Sequence, residues 1–536
     1  MSRHGLKREA GRFGLLCASL SGIIGSGWLL GPLYAAQIAG PYSILSWLLG
    51  AGAVLLLALV FAELATLVPR SGALVHISHL SHGDLVGRIW SWILFIAYVT
   101  VPPVEVTAVL TYANNYLPGL VSGAGHILTP EGYAAAIGLL AVIVWLNFLT
   151  IRWVLAINST ATWWKIAIAL GTVVLLLHLS YHPANLHLAL GKLNVERVLK
   201  AISLGGIIFS FLGFRQAIDL AGETRDPRRN IPFAAVGSIL LAALIYAALQ
   251  FAFLTALPPS SILRHGWHGL TFAGSAGPLA ALAILGGAVW WAGVLYVNAI
   301  IAPLGTGFIY TTTTSRIIMA AGESGDAPAG MAAISRRGVP WTALILTFVV
   351  GAVFLVPFPS WQKLVSIISS ATVLSYGIGP IVLLQLRLRI PDHVRPFRLR
   401  RAWIIAPAAF IVSNWIIYWT GLKTSNYVFG ILLVTLAGYL VLRALRHRSG
   451  ARAPLHARHA WWLVPYFGGL WVIQLLGPHS LRGDGTMSFL AGNVAIALLS
   501  LAVLGVALLC GRSPAAIEEM FSALQEIDRT APLSSP

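Results

Sequence analysis

Ser21-Gly22-Ile23-Ile24-Gly25-Ser26-Gly27-Trp28-Leu29-Leu30-Gly31-Pro32 lies in the middle of the first long apolar run, where an uninterrupted helix is expected. Four glycines and a proline make it a poor helix, because glycine loses the most entropy on ordering and proline lacks a backbone donor. In a bilayer, opened backbone is tolerated only where protein or a water-filled cavity satisfies it. The released N–H and C=O groups can then hold a polar ligand at membrane depth. Gly25-Ser26-Gly27 is equally what a close helix–helix contact uses. The rest of the chain has to choose between binding and packing.

Only 10% of the 536 residues are charged and 57% are hydrophobic, with a mean hydropathy of +0.81. Soluble proteins carry about 25% charged residues, so this composition belongs to a polytopic membrane protein. Apolar spans long enough to cross, about 17–25 residues or more, fall at 13–37, 43–68, 84–112, 130–150, 157–180, 198–222, 233–256, 280–320, 341–357, 361–388, 402–421, 426–446, 460–477 and 486–510. The last two are the weakest as separate crossings, which gives 12–14 spans. The 280–320 segment is too long for one simple helix and is expected to run past the membrane or to break at Pro303-Leu304-Gly305. The run at 13–37 exceeds a signal-peptide core of about 7–15 residues, so it reads as a retained first span. Beyond the membrane part we expect only a short N-terminal segment (1–12) and a polar tail (511–536). Cys17 and Cys510 lie in apolar spans far apart and give neither a disulfide framework nor a metal pair.

The net charge of +18 does not point to nucleic acid, because the cations sit in short loops between spans. Of the 35 lysines and arginines, 26 fall on the side of the N-terminus and 7 on the other, with Lys165 and Arg215 inside spans. That asymmetry predicts both termini in the cytoplasm. The cationic loops Arg387 to Arg401 and Arg443 to His459 are expected to meet anionic headgroups.

A second interruption is expected in the sixth span, at Ile208-Phe209-Ser210-Phe211-Leu212-Gly213-Phe214-Arg215. Matching defects in the first and sixth spans are the sequence sign of an inverted-repeat carrier, here spans 1–5 (13–180) against spans 6–10, with 198–421 holding the second repeat and the helix region after it and 426–510 as added C-terminal helices. A packing motif alone would not predict the correspondence, so binding becomes the favoured reading.

From this point the chain resembles the amino acid–polyamine–organocation transporter superfamily. The likeness rests on Gly25-Ser26-Gly27 with Pro32, on Gly40-Pro41 through Glu63-Leu64-Ala65 and Pro69-Arg70-Ser71-Gly72, and on Phe211-Leu212-Gly213-Phe214 with Ala221-Gly222-Glu223, Asp226-Pro227 and Arg229-Asn230-Ile231-Pro232. Ser315-Arg316 with Asp326-Ala327-Pro328, and Arg395-Pro396-Phe397-Arg398, complete it in the family's order. Within the superfamily the chain looks most like bacterial aspartate–proton symporters. The resemblance implies an all-α, LeuT-like 5+5 inverted repeat working by alternating access. It also implies that a substrate carboxylate meets N–H groups at Ser26 and Gly27, beside Gly25 in the same substrate site, where a half-helix presents its positive end. The ammonium would meet carbonyls of Ile23, Ile24 and Phe209. Phe209 would close over the cargo, with Ser210 and Gly213 lining the same break.

Lys165 lies well inside the fifth span, where a charge costs at least about 2.5–3.5 kcal/mol unless it finds a cavity or a partner. The resemblance makes it the proton-coupling group, touching the Gly22 or Ile23 carbonyl and Thr306. The bland alternative is a lysine snorkelling to the interface. Arg215 stands where many relatives carry an acid. It either binds a side-chain carboxylate of the cargo or pairs with Asp219 or Glu105. Glu105 follows Pro102-Pro103, which should bend the third span. It is a cavity carboxylate, a proton site or the partner of Arg215. Glu63 reads as structural. His76, His79 and His82, three residues apart in the first loop, lack the support a metal site needs.

No His-Glu-x-x-His or Gly-x-Ser-x-Gly motif supports an intramembrane enzyme, and a channel does not require paired broken helices. The function expected is amino acid transport, proton-coupled, with aspartate as an example. The alternative is an antiporter or a permease for neutral or cationic amino acids. No cofactor is expected beyond the proton as coupling ion. The partners are a small-molecule amino acid and the lipid bilayer. Nothing in the chain specifies an oligomeric state.

Overall fold

The computed structural model describes residues 8–122, 127–149, 151–188, 191–272, 277–356, 361–447 and 457–530. Each of the fourteen apolar segments contains helix. The first span is α1 (Arg12–Ile23) and α2 (Gly27–Ala39), separated by Ile24-Gly25-Ser26. Gly40, at φ 57°, and a 3₁₀ turn lead into α3 (Ser43–Leu67). The short α4 (Ala73–His82) carries the three histidines into the third span. That span divides at Thr100, just ahead of Pro102-Pro103, into α5 (Asp84–Val99) and α6 (Val101–Ala113). A small hairpin, β1 (Val121–Ser122) with β2 (Ile127–Leu128), connects to α7 (Pro130–Leu146) and α8 (Ile151–Leu179). Helix starts follow local chemistry: Thr129 caps α7 through Gly132 N–H at 3.0 Å, with Pro130 in the first turn where a missing donor costs nothing.

The sixth span is α9 (Val195–Leu204), α10 (Ile207–Phe211), a 3₁₀ turn over Leu212–Arg215, and α11 (Gln216–Asp219). Its break comes earlier than the sequence suggests. The chain bends by 56° at Gly205-Gly206, and Gly206 sits at φ 79°, a conformation open mainly to glycine. The stretch expected to be broken, Ile208–Arg215, is instead a tight turn of helix.

Then follow α12 (Pro227–Ala256), α13 (Pro259–His265), α14 (Pro278–Leu285) and α15 (Val289–Glu323). Of the two readings of 280–320, a long helix or a break at Pro303, the structure takes the long helix. Pro303 lies inside an unbroken α15, and the division falls at Gly286-Gly287, with Gly287 at φ 85°. The remaining helices are α16 (Trp341–Phe354), α17 (Trp361–Tyr376), α18 (Ile378–Arg389), α19 (Ala402–Trp419), α20 (Leu422–His447), α21 (Leu463–Leu475), α22 (Phe489–Cys510) and α23 (Pro514–Thr530). Among the described residues, eight helical segments are long and apolar enough to cross a membrane, or nine if the bent pair in the sixth span counts as one. Shorter apolar helices include α1, α7, α16 and α21.

Inside the bundle, α1 packs on α8, α12 and α15, and α15 on α6. The two broken spans touch through bare backbone: a side-chain carbon on Gly213 would lie 2.1 Å from the Gly22 carbonyl carbon, and one on Gly27 would lie 2.2 Å from Ser210 Oγ. Of the two alternatives set out, the contacts show close packing at the break. The glycines open the helix and let the second break come close.

Candidate functional site

The first-span break leaves the Ser26 N–H at the start of α2, and a carboxylate already meets it. Glu105, from α6, accepts that N–H at 2.9 Å through Oε2. A side-chain carbon on Gly25 would lie 2.4 Å from Glu105 Oε1 and 2.9 Å from Thr306 Oγ1, so Gly25 is what admits both groups. Glu105 is fully buried, and its Oε1 has no hydrogen-bond partner among the described residues. The protein's own acid thus stands where the resemblance puts the carboxylate of a substrate.

Lys165 is fully buried on α8, so it does not snorkel. Its Nζ donates to Ser21 O at 3.0 Å, Ser21 Oγ at 3.0 Å and Thr306 Oγ1 at 3.1 Å. Thr306 in turn donates to Ser21 O at 2.6 Å. The helices are those expected, but the backbone partner is Ser21 rather than Gly22 or Ile23. One ammonium therefore bridges α1, α8 and α15 beside the break.

The carbonyls expected to be open for an ammonium are engaged. Ile23 O accepts Gly25 N–H at 3.0 Å and the Tyr246 hydroxyl at 2.9 Å. Phe209 O accepts the Leu212 N–H, because the sixth-span break lies before Phe209 and leaves it helical. Ile24 O receives a longer contact from Thr306, at 3.4 Å.

On the other face of the break, Trp361 at the start of α17 donates its indole N–H to Ser26 Oγ at 2.8 Å. Its ring meets Phe209 edge-on at 6.1 Å and stacks on Tyr34 at 5.8 Å. Phe209 is thus part of an aromatic cover, and Ser210 Oγ lies against Gly27.

Arg215 is fully buried and forms an ion pair with neither Asp219 nor Glu105 within 4.0 Å among the described residues. Its guanidinium lies 3.7 Å from the Tyr98 ring centre and 4.4 Å from that of Tyr376, a cation–π sandwich. Nη1 donates to Ser375 Oγ at 2.7 Å, while Nε and Nη2 have no hydrogen-bond partner. Tyr98 donates to Asp219, whose Oδ1 is unpartnered. Among the described residues the cation is held by two rings and one hydroxyl.

The loop charges behave differently. Glu63 accepts Arg387 Nη2 at 2.5 Å and Leu399 N–H at 2.7 Å, with Arg395 Nε at 3.3 Å. Arg387 and Arg395, expected to meet headgroups, therefore turn inward. Part of the other cationic loop, 448–456, lies outside the described residues. Of the histidines, His79 binds Asp326 at 2.7 Å, His82 faces Ala507 O at 2.9 Å and His76 lies 3.9 Å from Glu323. Sequence reasoning missed Ser21, Tyr98, Tyr246, Trp361, Ser375 and Tyr376. A serine or aromatic within an apolar span carries no spacing signal to separate contact from packing.

Two interrupted spans in contact, with a buried lysine and a buried carboxylate at the first break, fit a polytopic membrane carrier of the broken-helix class. The chain matches the amino acid permease family over residues 11–477 and belongs to it. It is 37% identical over 506 residues to the glutamate/serine transporter AimA of Bacillus subtilis (92% of each chain). To the aspartate-proton symporter of the same organism it is 32% identical over 521 residues (97% of this chain, 99% of the relative). Human Asc-type amino acid transporter 1 is 25% identical over 437 residues (80% and 79%). The protein is an integral membrane transporter of amino acids, not an enzyme.

Proposed function

We propose that the chain is a proton-coupled symporter for an acidic amino acid, aspartate foremost, working by alternating access. The observation that carries this is the Glu105 carboxylate on the Ser26 N–H, with Lys165 across Gly25 on Ser21 and Thr306. A cargo carboxylate needs the N–H that Glu105 holds. A proton on Glu105 removes the competing charge, and Lys165 links that exchange to the position of α1 against α15. Arg215, with two spare donors, is placed to receive the second carboxylate of the cargo as it leaves the break. The aspartate-proton symporter relative supports both parts.

The charge asymmetry supports both termini in the cytoplasm of a bacterial cell, with a first repeat at 13–180 and an inverted second repeat with its following helix region at 198–421. The test is uptake of labelled aspartate into proteoliposomes with and without an inward proton gradient. Wild type takes up aspartate faster with the gradient. Lys165→Ala removes charge-assisted bonds worth about 1.5–3 kcal/mol and loses gradient stimulation by roughly tenfold or more. Normal gradient-driven uptake by Lys165→Ala would sink the coupling role. Uptake only into preloaded vesicles would make the protein an exchanger.

A further inference from the structure

A cavity of about 510 Å³ opens at the surface where the start of α1, the start of α12 and the loop after α18 converge. Arg12, Arg228 and Arg229 line it, with Asp226, Asn230 and Phe397. Three guanidinium groups face one carboxylate, and no ion pair within 4.0 Å joins Asp226 to any of the three among the described residues. Two of the cations are held by neutral groups. Arg12 lies 3.8 Å above the Phe233 ring, and Arg228 Nε donates to Pro396 O at 3.1 Å. Their charges stay uncompensated while their positions are fixed. The amino end of α12 points at the same place, and Asp226 does not cap it with its side chain, so its partial positive charge adds to theirs. Phe13, next to Arg12, is 68% exposed and packs edge-on to Phe233 at 6.4 Å. A cationic hollow therefore borders an exposed apolar edge.

We propose that this cavity binds a phosphate-bearing group, presented by the headgroup of an anionic phospholipid whose chains lie along Phe13. Phosphate fits because guanidinium pairs with it in a planar, two-bond geometry. The membrane is the favoured source because of the apolar edge, and because basic residues at a membrane surface draw anionic lipid. The bland alternative is three solvated surface arginines.

Two of the cavity walls are already tied together by backbone. Ala10, two residues before Arg12, is tied to the loop ahead of α12 by Ala10 N–H to Glu223 O at 2.8 Å and Arg225 N–H to Ala10 O at 3.0 Å. A headgroup shared by Arg12 on α1 and Arg228 and Arg229 on α12 strengthens that tie and holds α1 against α12. Binding stands on the cavity alone. The slowing of transport rests on the carrier mechanism above.

The test uses the purified full chain in detergent with phosphatidylglycerol, phosphatidylcholine or inorganic phosphate. Thermal unfolding is followed in wild type, in Arg228→Gln/Arg229→Gln and in the control Arg336→Gln/Arg337→Gln, which removes two exposed arginines elsewhere. We expect phosphatidylglycerol to raise Tm by several degrees in wild type and control. In the cavity variant the rise should fall to that given by phosphatidylcholine. An equal rise in all three proteins would overturn the site. A rise with inorganic phosphate that is lost in the cavity variant would support the phosphate chemistry but assign its source to solution. If the double variant does not fold, Arg12→Gln replaces it, with native mass spectrometry counting retained phosphatidylglycerol. Unchanged retention would again overturn the site. Where binding holds, uptake in vesicles containing phosphatidylglycerol should be slower for wild type than for the cavity variant. Equal rates would remove the regulatory role and leave the site.

Discussion

Two groups of buried charge occupy this molecule, and they are built in opposite ways. In the loop shell, each carboxylate has a cation within reach: Glu63 with Arg387 and Arg395, Glu223 with Arg316 Nε at 3.0 Å, Asp326 with His79 and with Arg88 at 3.3 Å. Around the breaks, Glu105, Lys165, Arg215 and Asp219 are all fully buried, yet none forms an ion pair within 4.0 Å among the described residues. They rest on amides, hydroxyls, carbonyls and rings instead of opposite charges. Leaving charge uncompensated inside a membrane protein is costly and marks function. Pairing it with good geometry holds segments in place. On the function proposed above, the shell holds and the centre exchanges.

The strongest test of that division is Glu63→Ala. It strands Arg387 and Arg395 and removes the acceptor of Leu399 N–H, and breaking such a buried pair costs about 3–5 kcal/mol. We expect a large fall in Tm in detergent and poor yield. A stable Glu63→Ala protein with lost transport would move Glu63 into the exchanging group and break the comparison.

Next comes Arg215→Gln, which keeps a polar side chain but loses the cation between Tyr98 and Tyr376. One charge-assisted contact is worth about 1.5–3 kcal/mol, so acidic substrates should weaken by roughly tenfold or more while a neutral amino acid changes little. Equal loss for both, with reduced Tm, would return Arg215 to the holding group. Trp361→Phe is smaller. It deletes one neutral hydrogen bond to Ser26 Oγ, about 0.5–1.5 kcal/mol, and keeps the ring on Phe209. A KM raised a few-fold with an unchanged maximal rate is the expected result.

The first break was legible because glycines and a proline are anomalous inside an apolar run. The sixth was legible as an event but not at its position, because Gly205-Gly206 reads as span interior until its φ is seen. Pro303 misled for the opposite reason: α15 absorbs the proline without breaking. At the centre, Lys165 and Thr306 came from a family likeness. Glu105 on the Ser26 N–H could not be read at all, since the pair is 79 residues apart and depends on Gly25 admitting the carboxylate. Local chemistry shows where backbone opens; only packing shows what fills it.

The smallest expected effect probes a titrating pair in the shell. His79 Nε2 lies 2.7 Å from Asp326 Oδ2 and Nδ1 lies 3.6 Å from Asp84 Oδ1. Arg88 and Ser91 also reach Asp326, and His76 lies one turn back on α4. Burial alone would lower the His79 pKa, but the hydrogen bonds and charges of Asp326 and Asp84 outweigh it and raise it to about 9. A folded pKa above the unfolded value of about 6.5 means that the protonated histidine stabilises the fold. That contribution is complete below about pH 6.5 and is lost as pH rises through about 9. Tm should therefore decline across that window in wild type. His79→Gln keeps a donor for Asp326, and Arg88 still pairs with it, so the loss near neutrality should be small and the decline should flatten. An unchanged slope in His79→Gln would place the pH dependence elsewhere. A steep slope surviving only in Asp326→Asn would assign it to Asp84, and the shell would then hold by a different pair.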